Sequence, residues 1–126
     1  EDPKERGIRK SLNFGHTVGH AIESASMAWE KPLLHGEAIA LGMRLEIAIA
    51  KEKGLMTEAC CALLTEKLND WFQFPEHKWN SDELWGYMLK DKKNVGDVVQ
   101  AALISEPGKV HIGEVIEKSL FQKVIG

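Results

Sequence analysis

Apolar residues recur at helical spacing along most of the chain, and glycines and prolines mark where the runs stop. From about residue 8 to residue 29 the sequence is compatible with one helix apart from Gly15 and Gly19, each costing about 1 kcal/mol relative to Ala. Those two glycines need another reason to be there, and their missing side chains would let a ligand or another backbone approach closely. A second helix is predicted from about 36 to 53, rich in Ala, Leu, Ile, Glu and Lys, with Gly54 placed to end it. Thr57 is a plausible N-cap for a third, which carries Ala59, Leu63, Leu64 and Leu68 and runs to about Trp71. Asn80 and Glu83 form a possible capping box for a short fourth helix ending near Lys90.

After Gly96 the pattern changes. The run from 98 to 104 reads as a strand, Glu106-Pro107-Gly108-Lys109 fits a type II turn, and Val110-His111-Ile112 can return as its partner. From 114 to 124, Val115, Ile116, Leu120 and Val124 stand at helical spacing and predict a closing helix. The class is all-α with at most one small hairpin near residues 98–112. Leu41, Leu45, Ile49, Leu63, Leu68 and Leu120 are core candidates.

One polar pattern stands out. Glu5, Arg9, Asn13, His16, His20 and Glu23 fall three or four positions apart, which on a helix confines them to an arc of roughly 80°. A stripe of this kind is ordinarily a solvent face. Solvent faces are mostly Lys and Glu, however, whereas this one holds Arg, Asn and two His. His16 and His20 are one turn apart, so their imidazoles can converge on one small object, and His35 opens the next helix after a short connection. Two histidines and one further ligand would hold zinc with a coordination position left open, the arrangement of a catalytic site. His77, in a Pro-flanked loop, and His111, in the second strand, read as structural. Lys92 and Lys93, in the run from Lys90 to Asn94, either answer a helix dipole or contact an anion; spacing leaves both open.

Composition narrows the classes. The 126 residues suffice for one domain with its own core, and 44% hydrophobic with 28% charged residues is ordinary for a globular chain. Sixteen Lys and Arg against nineteen Asp and Glu give a net charge of −3 without long runs of one sign, so no nucleic-acid footprint or polybasic membrane anchor is expected. No apolar run approaches the about 18 residues of a membrane span. The two cysteines, Cys60 and Cys61, are neighbours on a helix, where their side chains diverge; a disulfide framework is excluded and a reducing, cytoplasmic setting is expected. The polar start without Met or signal peptide suggests a piece of a longer protein.

Three blocks carry a resemblance. Glu5-Arg6-Gly7-Ile8-Arg9 followed by the run from Ser11 through Asn13, Gly15-His16 and Gly19-His20 to Glu23, then Leu34-His35-Gly36-Glu37-Ala38 on to Gly42-Met43, then Asp91-Lys92-Lys93-Asn94, together resemble the 3-dehydroquinate synthase family. The resemblance implies the helical C-terminal domain of the dehydroquinate synthase-like fold, residues 1–126 forming a single domain whose N-terminal NAD-binding partner domain lies outside the chain. It implies conversion of 3-deoxy-D-arabino-heptulosonate 7-phosphate to 3-dehydroquinate and phosphate in the shikimate pathway, with transient oxidation by NAD, phosphate elimination, return of the hydride and an intramolecular aldol closure. Two metal ligands, His16 and His35, would bind zinc, with cobalt a possible substitute. His20 and Asn13 would meet the phosphate end of the substrate, Arg9 and Glu5 its other polar groups, and one of Lys92 and Lys93 an anionic group. Glu37 and Glu23 could orient an imidazole or could simply be helix-end and surface charges.

No Gly-rich dinucleotide fingerprint occurs, so the chain alone is expected to be inactive. A homodimer is expected at full length. A sister sugar-phosphate cyclase, such as a 2-deoxy-scyllo-inosose or valiolone-type synthase, is the nearest alternative. A metal-dependent alcohol or glycerol dehydrogenase is a more distant one, and a non-enzymatic helical module more distant still.

Overall fold

The computed structural model describes residues 14–74, 77–91, 99–106 and 109–125. Five helices and one hairpin follow in chain order: α1 (His16–Ser26), α2 (His35–Glu52), α3 (Glu58–Trp71), α4 (Ser81–Asp91), β1 (Val99–Glu106), β2 (Lys109–Ile116) and α5 (Lys118–Ile125). No described helix is long and apolar enough to cross a membrane.

The longest helix, α2, is delimited by its own sequence. The Glu37 carboxylate reaches back to accept the Leu34 backbone N–H at 2.9 Å. At the other end Gly54 takes a left-handed φ of 80°, so its N–H reaches Lys51 O at 3.0 Å and that of Leu55 reaches Ala50 O at 2.9 Å. This pair of bonds satisfies carbonyls that the end of a helix otherwise orphans. Thr57 caps α3 by accepting the Cys60 N–H at 3.1 Å, and Asn80 accepts the Glu83 N–H at 3.0 Å at the start of α4.

Gly42 sits where α1 and α2 cross. A Cβ at that position would lie 2.3 Å from Gly15 O and 2.5 Å from Gly19 N, and one at Gly19 would lie 3.0 Å from Ile39 Cα. Gly15 and Gly19 are therefore present to admit another backbone, and the helices touch main chain to main chain. Val18 and Ile22 of α1, Leu41 and Ile49 of α2, Leu84 and Met88 of α4, Leu103 and Ile116 of the hairpin and Phe121 of α5 make one core, each at most 2% exposed. Of the other core candidates, Leu68 is buried, Leu45 and Leu120 are half-buried, and Leu63 is exposed on the outer side of α3.

Two predicted elements differ from those observed. The helix expected over 8–29 starts at His16, because Gly15 holds a φ of 85° that no right-handed helix can contain. Of the six-residue stripe, His16, His20 and Glu23 share α1, whereas Glu5, Arg9 and Asn13 lie outside the described residues. The closing helix expected from 114 starts at Lys118 instead, since β2 continues to Ile116. There Ile116 pairs with Val99, Val115 with Gln100 and Glu114 with Ala101. Between His111 and Glu114 the second strand carries one residue more than the first, and Gly113 takes a φ of 73°. Such a bulge reverses the phase of the alternation, so the strand's apolar residues imitate helical spacing. Lys53 at the end of α2 secures the strand, bonding the Val115 carbonyl and pairing with Glu114 at 3.3 Å. The turn at 107–108 lies outside the described residues.

Candidate metal centre

The short link from Ser26 to Leu34 folds the start of α2 back against the body of α1. Ser26 Oγ donates to Glu23 O at 2.9 Å and accepts the Leu33 N–H at 3.2 Å, fixing that return. With the two helices in backbone contact, His16 and His20 on α1 meet His35 at the first position of α2. Their ring centroids are 5.2 Å (His16 to His20), 6.2 Å (His16 to His35) and 6.0 Å (His20 to His35) apart. One ligand atom from each can be chosen so that all three lie within 4.8 Å of one another. His16 and His20 are half-buried and His35 is exposed, so the cluster opens to one side.

The ring nitrogens are sorted by their partners. His16 Nδ1 lies 3.3 Å from the Phe14 carbonyl and His35 Nδ1 lies 3.1 Å from a Glu23 carboxylate oxygen. A carbonyl can only accept, and a carboxylate accepts, so these contacts favour the tautomer with the proton on Nδ1, in which the Nε2 lone pair is the one available to a cation. A carboxylate behind an imidazole in this way fixes its tautomer and ring orientation. Glu23 thus takes the orienting role, whereas Glu37 is spent on the start of α2. Tetrahedral zinc would hold its nitrogens about 3.3 Å apart, somewhat closer than the cluster stands. Imidazole nitrogens are nonetheless a donor set that divalent transition metals take.

Of the other residues singled out in the sequence, Glu5, Arg9, Asn13, Lys92 and Lys93 lie outside the described residues. His77 stands in an aromatic group, its ring centroid 4.7 Å from Trp29 and 4.5 Å from Trp79, and His111 sits in β2 opposite Leu103. Sequence reasoning missed Glu46. It is fully buried, and its carboxylate accepts the N–H groups of Gly15 at 2.9 Å and Val18 at 3.0 Å, at the start of α1. The signal was present as a charge within the inward-facing row Ile39, Gly42, Glu46, Ile49.

Two helices packed through their glycines thus gather three imidazoles that could hold a metal ion. A profile of the 3-dehydroquinate synthase C-terminal family matches residues 1–94, and the chain belongs to that family. It is 36% identical to a 3-dehydroquinate synthase of Parabacteroides distasonis, over 94% of this chain and 34% of the relative. It is 41% identical to one of Streptococcus pneumoniae, over 89% of this chain and 31% of the relative. The chain therefore spans about a third of the length of these relatives.

Among solved structures, a 2-deoxy-scyllo-inosose synthase complexed with carbaglucose-6-phosphate, NAD+ and Co2+ is similar with a TM-score of 0.74 and 32% identity, over 90% of this chain and 32% of that one. A 2-epi-5-epi-valiolone synthase from Streptomyces hygroscopicus, with NAD+ and Zn2+ bound, shares the fold with a TM-score of 0.73 at 22% identity, over 90% of this chain and 31% of that one.

Proposed function

We propose that the chain is the C-terminal, metal- and substrate-binding part of a cytoplasmic 3-dehydroquinate synthase, which converts 3-deoxy-D-arabino-heptulosonate 7-phosphate to 3-dehydroquinate and phosphate. The observation that carries the reading is the His16, His20 and His35 cluster with Glu23 behind it, on a chain whose relatives are synthases of that name. NAD would be held mainly by protein outside this chain, and the full-length enzyme would be a homodimer.

His16 and His35 would hold the metal through Nε2, with a third ligand from outside the chain. A bound zinc or cobalt ion would polarise hydroxyl and carbonyl oxygens of the substrate. Glu23 keeps the His35 ring aimed, and the Phe14 carbonyl does the same for His16. His20, beside both rings, would donate to the phosphate of the substrate, where fixed donors stabilise charge that changes as the group leaves. Arg9, Asn13, Glu5 and one of Lys92 and Lys93 complete the proposed substrate contacts.

A sister cyclase is the second reading, favoured by the 32% identity to the 2-deoxy-scyllo-inosose synthase. The full-length protein, supplied with NAD and zinc or cobalt, should release phosphate from 3-deoxy-D-arabino-heptulosonate 7-phosphate and form 3-dehydroquinate. Turnover instead of glucose 6-phosphate, the sugar that carbaglucose 6-phosphate imitates, would establish the sister reading. Turnover of neither would refute both.

A further inference from the structure

We propose that Glu46 is a positioning residue of the metal centre: its buried carboxylate caps the helix that carries His16 and His20, and so sets their register against His35. This deepens the reading of the three histidines as a metal site and rests on it.

Among the described residues, nothing local to the start of α1 satisfies its first N–H groups. Gly15, at the N-cap, has no side chain to offer, and the first turn contains no acidic residue. Unpaired N–H groups buried at a helix start are costly, and the end carries partial positive charge. Glu46 answers both from another helix. One carboxylate oxygen takes the Gly15 N–H and the other takes the Val18 N–H, so the two bonds bracket His16. A two-point attachment fixes rotation of the turn as well as its place.

The other half of the argument is where Glu46 comes from. It projects from α2, the helix whose first residue is His35, about three turns farther on. A continuous helix is stiff, so the atoms that hold the His16 turn and the backbone that carries His35 belong to one rigid element. The glycine crossing sets how close α1 and α2 come; Glu46 sets how far α1 is turned and slid along that contact. Glu23 orients one ring, whereas Glu46 orients the element bearing the other two.

The test compares Glu46→Leu and Glu46→Gln with the unsubstituted protein. Leu fills about the same space without an acceptor, and Gln keeps one acceptor oxygen. Co2+ titrations followed through the visible absorption of the bound ion read the site, and circular dichroism reads the fold separately. The unsubstituted protein should bind Co2+; Glu46→Leu should weaken binding about 10-fold or more and change the band pattern, with Glu46→Gln between them. In the metal-free protein, long-range proton–nitrogen spectra of the imidazoles should show His16 losing its Nδ1–H form in Glu46→Leu. If the unsubstituted protein takes up no Co2+, the metal reading falls, and the imidazole spectra still decide the role of Glu46. If Glu46→Leu does not fold, Glu46→Gln decides by the same two readouts. Co2+ affinity and His16 signals unchanged in the folded variants would overturn the proposal.

Discussion

Replacing Gly42 by Ala puts one methyl group into the place where α1 and α2 meet as bare backbone. Its Cβ would stand 2.3 Å from the Gly15 carbonyl oxygen, 2.5 Å from Gly19 N and 2.6 Å from Gly19 Cα. Ordinary contact begins near about 3.4 Å, so relief requires the helices to part by about 1 Å. All three atoms are main chain, which no rotamer change can move aside. Overpacking of this kind costs about 1–3 kcal/mol, and the absence of a flexible neighbour puts Gly42 at the upper end. The better helix propensity of Ala returns about 1 kcal/mol. The net expectation is a loss of about 2 kcal/mol, or about 8 °C in Tm for a domain of this size.

Gly86→Ala is the matched control. Gly86 is also helical, nothing lies within 4 Å of its Cβ position, and it has no positive φ, so the same substitution should stabilise by about 0.5–1 kcal/mol. Urea and thermal unfolding followed by circular dichroism would measure both. If Gly42→Ala proves as stable as the unsubstituted protein, or gains as Gly86→Ala does, the backbone contact between α1 and α2 is not as described.

Further expectations concern the site and the surface. His35→Ala should remove the bound metal together with activity of the full-length enzyme, whereas His20→Ala should retain metal and lower turnover; metal analysis of both variants checks this, and loss of metal in His20→Ala to the extent seen in His16→Ala would refute the division. Glu23→Gln should weaken Zn2+ binding about 10-fold without changing the circular dichroism spectrum, as read by competition with a chromophoric chelator. Thr57→Ala should cost about 1 kcal/mol in urea unfolding through loss of the α3 cap, and no change would show that the bond to Cys60 contributes nothing. Lys123, hydrogen-bonded to Glu52 and attracting it at 3.1 Å, holds that carboxyl below its ordinary range. Its stabilising effect is therefore present above the ordinary glutamate pKa and lost as pH falls through the lowered folded value; an NMR titration should show Glu52 moving upward in Lys123→Ala.

Much of the architecture is determined locally and was legible in the residues. Glu37 and Gly54 delimit α2, Thr57 and Asn80 start α3 and α4, and these signals act within a few positions of chain, where sequence and geometry are almost the same thing. The histidines were legible as a group for the same reason, because His16 and His20 are one helical turn apart and His35 follows a short link. Where the chain departs from local rules, the sequence misled. Gly113 shifts the phase of β2 and made the end of a strand read as a helix, and only the pairing of Ile116 with Val99 settles which it is. Gly15 and Gly19 declared that something approaches closely without saying what; Gly42, in the next helix, supplies the other surface. Glu46 is the sharpest case. A carboxylate in an apolar row is a defect until the start of another helix is brought beside it, where it accepts two N–H groups 28 and 31 residues distant along the chain. Bonds closed within one turn are fixed by neighbours in sequence, whereas satisfaction of a buried charge is fixed by which elements pack together, and that is a property of the assembled core.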